Sequence, residues 1–262
     1  METIVVGVDA SPGAVEVLGW AADEAARRSS TLLVVHAYGG DPAAAHALVD
    51  QAAARVAAEQ PSVVVKAEAR RGHAAPCLLD AASRAELLVV GARGHDGWAG
   101  MLLGSVSHHV IVHAHCPVAV IRPGGQAGTI VVGVDGSAGA DRAVTWAVAE
   151  ARLRGSSLLV VHAWQLPPIG AYVVTPPKGY DEMAAEFVEQ ARSVAAAADP
   201  ELTVEGRIAY GSSVEALTTA STTAELVVVG ARGWGGFADL LLGSVGHQCA
   251  QYAHCPIVVV RG

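Results

Sequence analysis

The chain repeats itself, and the repeat is as long as a domain. Ile4-Val5-Val6-Gly7-Val8-Asp9 recurs as Ile130-Val131-Val132-Gly133-Val134-Asp135 at an offset of 126 residues. Val34-Val35-His36-Ala37 recurs as Val160-Val161-His162-Ala163 at the same offset. Further along, the offset becomes 139. Gly91 to Ser105 reads GARGHDGWAGMLLGS, Gly230 to Ser244 reads GARGWGGFADLLLGS, and His115-Cys116-Pro117 returns as His254-Cys255-Pro256. The 13-residue difference places an insertion in the second half, within the proline-bearing stretch from Gln165 to Met183. A period this long means a tandem duplication of whole domains, not a solenoid. The stretch from Pro123 to Gly128, PGGQAG, is a natural linker, so domains are expected at 1–124 and 129–262.

Each half alternates short, valine-rich runs with longer helical patterns. In the first half strands are expected at Thr3–Asp9, Thr31–Ala37, Ser62–Arg70, Glu86–Val90 and Pro117–Arg122. Helices are expected from Pro12 to about Arg28, from Pro42 to Glu59, from Ala74 to Ser83, and after the glycine-rich stretch. Strands that are apolar on both faces, each followed by a helix, imply a parallel sheet covered on both sides. In such a sheet ligands bind at the carboxyl ends of strands where the strand order reverses. Asp9, the His36-Ala37 turn and the glycine-rich loop fall there.

Composition narrows the class. The chain is 52% hydrophobic, with mean hydropathy +0.39, yet no apolar run approaches the ~18 residues of a membrane span. The opening residues METIVVGVDAS read as a strand rather than as a leader. Cys77, Cys116, Cys249 and Cys255 have neither disulfide-framework nor zinc-finger spacing, so the reducing cytoplasm is the expected compartment. A net charge of −8 with two lysines, Lys66 and Lys178, leaves no basic patch for nucleic acid or an anionic membrane.

The glycine stretches carry the chemistry. Each follows an apolar run, Leu87 to Val90 or Leu226 to Val229, and precedes a helical pattern, Val106 to Ala114 or Val245 to Ala253. The unit is therefore strand, glycine-rich loop, helix N-terminus. First-turn N–H groups lack helical partners and sit at the positive end of the dipole, which suits an anion. Glycine lets the backbone approach a phosphate with no Cβ in the way.

The pattern G-x2-G-x9-G-S after strand four, with V-G-V-D in strand one and V-V-H-A in strand two, resembles the ATP-binding subclass of the universal stress protein family. It covers nearly the whole chain as two tandem domains and fits at each fixed position in both copies. The resemblance implies an α/β fold of two Rossmann-like domains, each a five-stranded parallel sheet with helices on both faces. It also implies two ATP molecules per chain, accompanied by Mg. In the first site it points to Gly7, Asp9, His36, Ala37, Gly91, Gly94, Gly104, Ser105 and Val106. In the second it points to Gly133, Asp135, His162, Ala163, Gly230, Gly233, Gly243, Ser244 and Val245. Asp9 would face the ribose or adenine, His36 and Ala37 would flank the adenine, and the glycines with Ser105 would cradle phosphates. Arg93 and Arg232 are the local cations, although the signature does not fix them.

Plainer roles compete for some of these residues. Asp9 and Asp135 also suit capping of the following helix, and the two roles can coexist. His36 and His162 suit local backbone hydrogen bonds better than acid–base chemistry. Trp98 and Phe237 read as packing residues. His109 and His113 stand i, i+4 on one helix, but Gln248 and Tyr252 replace them in the second half, so they read as structural rather than as a metal pair. The pairs Arg27-Arg28 and Arg70-Arg71 read as solvated ends of elements. The loop lacks the lysine of a Walker A motif, and no kinase H-R-D or D-F-G set is present. Near the loops only Asp96, Asp239 and one arginine each are at hand for phosphoryl transfer. The expected function is therefore ATP binding by a stress-response regulator with little or no turnover. A slow ATPase or ATP-dependent phosphotransferase is the alternative. A homo-oligomer and an unidentified regulatory protein partner are also expected.

Overall fold

The computed structural model describes residues 2–94, 103–165, 179–233 and 242–261. Asp96, Trp98, Phe237, Asp239 and most of the insertion lie outside the described residues. Contacts divide the chain into two units. One holds Met1–Gly124, Ala250–Tyr252 and Pro256–Gly262, and the other holds Gly125–Cys249 and Ala253–Cys255.

The first unit runs β1 (Thr3–Gly7), α1 (Ala14–Arg28), β2 (Thr31–Tyr38), α2 (Pro42–Glu59), β3 (Val65–Arg71), α3 (Ala74–Ala81), β4 (Leu87–Gly91), α4 (Ser105–His113) and β5 (Val118–Ile121). These five strands are parallel, in the order β3-β2-β1-β4-β5. Ile4, Val6, Leu87, Leu88, Val118 and Val120 are wholly buried, as strands covered on both faces must be. Helix α1 packs with α2 and α3 with α4, and right-handed crossovers put the two pairs on opposite faces. The strand order reverses between β1 and β4, which opens a crevice at their carboxyl ends.

Local chemistry explains where the observed ends depart from those expected. Strand β1 stops at Gly7 because Asp9 turns the chain, its Oδ1 accepting from Ser11 N at 3.0 Å. Helix α1 starts at Ala14, after a turn in which Ala14 N donates to Ser11 O at 3.1 Å. Strand β3 starts at Val65 because Val63 N is bonded back to Gln60 O, at 3.0 Å.

The second unit repeats the scheme with β6 (Thr129–Gly133), α5 (Ala138–Arg154), β7 (Ser157–Trp164), α6 (Tyr180–Ala198), β8 (Val204–Tyr210), α7 (Ser213–Ala220), β9 (Leu226–Gly230) and α8 (Ser244–Tyr252). Its strands are parallel in the order β9-β6-β7-β8. The final strand, β10 (Ile257–Val260), groups with the first unit. It pairs antiparallel with β5, Val258 opposite Ala119. Within that unit Arg122 donates to the carbonyls of Ala250 and Gln251, and Arg261 to that of Ile111. These bonds satisfy carbonyls that a helix end leaves unpaired.

One expectation is corrected here. Arg28 is not a solvated helix end: its Nε donates to Glu24, whose side chain is fully buried, at 2.5 Å. The second half repeats this with Arg154 on the equally buried Glu150. Arg154 goes on to Glu225 at 2.9 Å, and Ser156 Oγ donates to the same carboxylate at 2.7 Å. A buried carboxylate needs such a partner. The E-x3-R spacing on one helix face, at offset 126, was the sequence signal for it.

Candidate functional site

In the second unit the carboxyl ends of β6, β7 and β9 and the N-terminus of α8 enclose a cavity of ≈ 270 Å³. Gly133, Asp135, Ala163, Gly230, Arg232, Gly233, Gly243, Ser244 and Val245 all line it. His162, expected beside them, does not. Successive side chains of a strand point to opposite faces, so Val161 and Ala163 face the cavity while His162 turns to α6. There it is 7% exposed, its ring 5.3 Å from that of Phe187. Its Nδ1 lies 2.8 Å from Val134 O, to which it donates, and His36 Nδ1 stands 2.9 Å from Val8 O in the first unit. Each histidine thus ties the second strand to the carbonyl just before the strand-one aspartate.

The glycines separate by what surrounds them. A Cβ on Gly133 would stand 3.0 Å from Leu217 of α7, and one on Gly7 would stand 2.9 Å from Leu78 of α3. A Cβ on Gly230 would lie 2.7 Å from the backbone oxygen of Gly139. Backbone presses on Gly230, whereas at Gly7 and Gly133 the neighbour is the tip of a leucine side chain that can shift. Gly94 and Gly233 lie under the strand-one carboxylates: a Cβ there would come 2.8 Å from Asp9 Oδ2 and 2.1 Å from Asp135 Oδ2. The other oxygen of each aspartate accepts the N–H two residues on, from Ser11 and Ser137, at 3.0 Å. Each aspartate therefore both turns the chain and meets the glycine loop.

Gly104 and Gly243 need a different explanation. They precede α4 and α8 with φ −73° in both and ψ 158° and 153°, an extended conformation open to any residue. A Cβ would find ordinary contacts, 3.5 Å from Ala92 O and 3.4 Å from Ala231 O. Among the described residues neither backbone nor packing demands glycine there. What its absent side chain leaves clear is the space in front of the helix. The loops close at the same place, Gly104 N donating to Ala92 O at 2.8 Å and Gly243 N to Ala231 O at 2.7 Å. The helical bonds begin with His108 N and His247 N on the carbonyls of Gly104 and Gly243. The N–H groups of Ser244, Val245 and Gly246 therefore precede the first helical bond, at the lining of the cavity.

Sequence reasoning missed several lining residues. Ser213 and Leu217 come from α7, and Ser213 Oγ donates to Ala163 O at 3.3 Å. Gly246 also lines the cavity, where the first unit has Ser107, whose Oγ donates to Gly91 O at 2.6 Å. The sharp Gly211-Ser212 turn after β8, with Ser212 Oγ capping α7, was the available signal for the former. Asp135 and the exposed Arg232 supply charge of both signs. Among the described residues no group of three or more histidines, cysteines or carboxylates could hold a metal ion, and no helix is long and apolar enough to cross a membrane.

The fold and the site define a class: a doubly wound α/β sheet with a glycine-lined crevice under a helix N-terminus at its switch point. The chain belongs to the universal stress protein family, whose family model matches residues 1–122 and 127–261. A universal stress protein of Mycobacterium tuberculosis strain H37Rv is 33% identical, the match covering 98% of this chain and 96% of that one. One from Mycolicibacterium smegmatis is 32% identical over the same shares. Among solved structures, a universal stress protein from Archaeoglobus fulgidus superposes with a TM-score of 0.74 at 17% identity, over 99% of this chain and 98% of that one, and shares the fold.

Proposed function

We propose that this chain is an ATP-binding stress-response regulator, with one nucleotide in the crevice of each sequence half and little or no turnover. The observation that carries the reading is the pair Gly104 and Gly243, whose missing side chains serve neither φ nor packing among the described residues and leave a helix N-terminus open. In this reading Gly243, Ser244 and Val245 take the phosphates through backbone N–H groups, with Arg232 as a nearby cation. Ala163 borders the base and Asp135 the ribose. Mg²⁺ is held mostly by phosphate oxygens and water with one or two carboxylates, and Asp135 is the carboxylate in the lining that fits it. Asp9, Ala37, Arg93, Gly94, Gly104, Ser105 and Val106 do the same in the first half. The bound state would then be read by a protein partner or by assembly.

The test is a mass spectrum of nucleotide released from the purified chain, followed by calorimetry with ATP and Mg²⁺ after its removal. Two equivalents and no turnover over hours are expected. Turnover of roughly one per second or faster would make the slow-ATPase alternative too modest and the chain an enzyme. No binding at all would end the proposal.

A further inference from the structure

Strands β3 and β8 occupy the same place in their units, but they differ where an open edge matters. β3 reads VKAEARR and β8 reads VEGRIAY. Exposed edges are normally guarded by charge, and β3 is: Arg70 binds Glu68 and Asp80, both at 2.7 Å. In β8 Ala209 and Tyr210 stand where β3 has Arg70 and Arg71, and Ile208 replaces Ala69. Ile208 is 43% and Tyr210 71% exposed. Among the described residues Glu205 and Arg207 have no ion-pair partner.

The hydrogen-bond phase of β8 is set by its neighbour. Thr203 O accepts from Leu158 N and Gly211 N donates to Trp164 O, both at 2.9 Å. With the parallel register to β7, the odd-numbered residues bond inward, and Val204, Gly206, Ile208 and Tyr210 turn their N–H and C=O groups outward. A side chain on residue 206 would strike Val188 of α6, at 2.4 Å, so glycine is required there.

We infer that β8 is a docking edge for a second copy of this chain, the two strands pairing antiparallel about a two-fold axis through Gly206. Centred there, the outward-facing groups of the two strands meet in phase. Val204 faces Ile208 of the partner subunit. Glu205 faces Arg207 of the partner subunit, twice by symmetry, in the closely spaced sites where cross-strand pairs interact most. A slip of one residue breaks the hydrogen-bond phase. A slip of two, centring the axis on Arg207, sets Arg207 against the partner's Arg207 and Glu205 against the partner's Ala209, and loses both ion pairs. Pairing β8 with β3 of the partner, Gly206 opposite the partner's Ala67, sets Arg207 against the partner's Lys66 and Glu205 against the partner's Glu68. Moving that pairing by two, Gly206 opposite the partner's Ala69, sets Glu205 against the partner's Arg70, which Glu68 and Asp80 already hold. The two-fold pairing of β8 instead joins charges that have no ion-pair partner among the described residues, and it closes the assembly.

The test is sedimentation of the full chain across micromolar concentrations. A monomer–dimer equilibrium is expected. Glu205→Arg and Arg207→Glu should each raise the dissociation constant about tenfold, because two attractive pairs become repulsive. The double variant E205R/R207E should restore it. Ile208→Pro removes an outward N–H and no bond to β7, and should abolish the dimer with circular dichroism unchanged. A monomer at all concentrations, a dimer indifferent to the single reversals, or a double variant as weak as the singles would each overturn the assignment. None of these outcomes depends on nucleotide.

Discussion

Replacing Gly243 should separate binding from folding. With Ala the new Cβ meets Ala231 O at 3.4 Å and Arg232 Cα at 3.7 Å, contacts that need no movement. Two small opposed effects remain. Alanine is a poorer N-cap than glycine by up to about 1 kcal/mol, and it recovers about 0.4–1 kcal/mol by restricting the unfolded chain. The net change for the ligand-free protein should lie within about 0.5 kcal/mol, a Tm shift of under about 2 °C for a chain of this size. Gly243→Glu adds a carboxylate where phosphate is proposed to sit. ATP at 100 times its Kd stabilises a one-site protein by about 2.7 kcal/mol, or roughly 5–11 °C. That gain should vanish from the second half in Gly243→Glu while the first half keeps its own. Gly230→Ala is the contrasting control: its Cβ would lie 2.7 Å from the Gly139 oxygen, so it should cost about 1–3 kcal/mol with or without ATP. Scanning calorimetry of the three variants, each with and without ATP, reads all of this. A fall of more than about 5 °C in ligand-free Gly243→Ala would show that glycine is a packing requirement there. An undiminished ATP shift in Gly243→Glu would refute the placement of the phosphates.

Two further outcomes concern ionisation. The Glu225 carboxyl sits below its ordinary value because, although burial raises it, hydrogen bonds from Arg154, Ser156 and Gly128 N outweigh burial. A depressed carboxyl stabilises above its unfolded pKa and loses that contribution as pH falls through the folded one. The first-half counterpart Glu86 moves the other way, raised by burial and by Glu2 against weaker help from Ser30 and Arg28, so its contribution fades as pH rises. Urea midpoints from pH 3 to 7 should therefore show Glu225→Gln falling progressively behind the parent and Glu86→Gln gaining on it. Parallel curves would refute both. Burial pushes the Cys116 thiol up to about 11, and Cys249 and Cys255 are also buried while Cys77 is half-buried. A thiol reagent at pH 8 should modify Cys77 first and the other three only on unfolding, with rapid reaction at Cys116 the contrary result.

The duplication, the strand–helix alternation and the glycine loops were legible because each leaves a local mark: a repeated string, a period, a spacing. Strand alternation was as readable, and it explains why Ala163 faces the cavity and His162 does not. What stayed hidden depends on elements far apart in sequence. Ser213 and Leu217 reach the cavity only because α7 lies over the end of β6; the Gly211-Ser212 turn marks where that helix starts but not what it packs on. The glycines looked alike as letters. Only the surrounding atoms separate those pressed by a neighbour, such as Gly230 under Gly139, from those left open, such as Gly243. Arg28 was read as a solvated helix end, and its bond to the buried Glu24 stayed hidden, because composition alone does not say which face of a helix meets the sheet.

The single hydrogen bond from Gly104 N to Ala92 O, matched by Gly243 N to Ala231 O, has an evolutionary consequence. It staples the two ends of each glycine loop beside one another, so the chain between them leaves and returns at nearly one point. Lengthening a closed excursion is cheap, about 0.6 kcal/mol for each doubling. A change of length between those ends therefore need not move the strand and the helix that they join. Between duplicated copies those residues can diverge, or acquire a new contact surface, while strand and helix stay in place. The two halves already differ there, HDGWAGMLL against WGGFADLLL, within an unchanged frame of glycines.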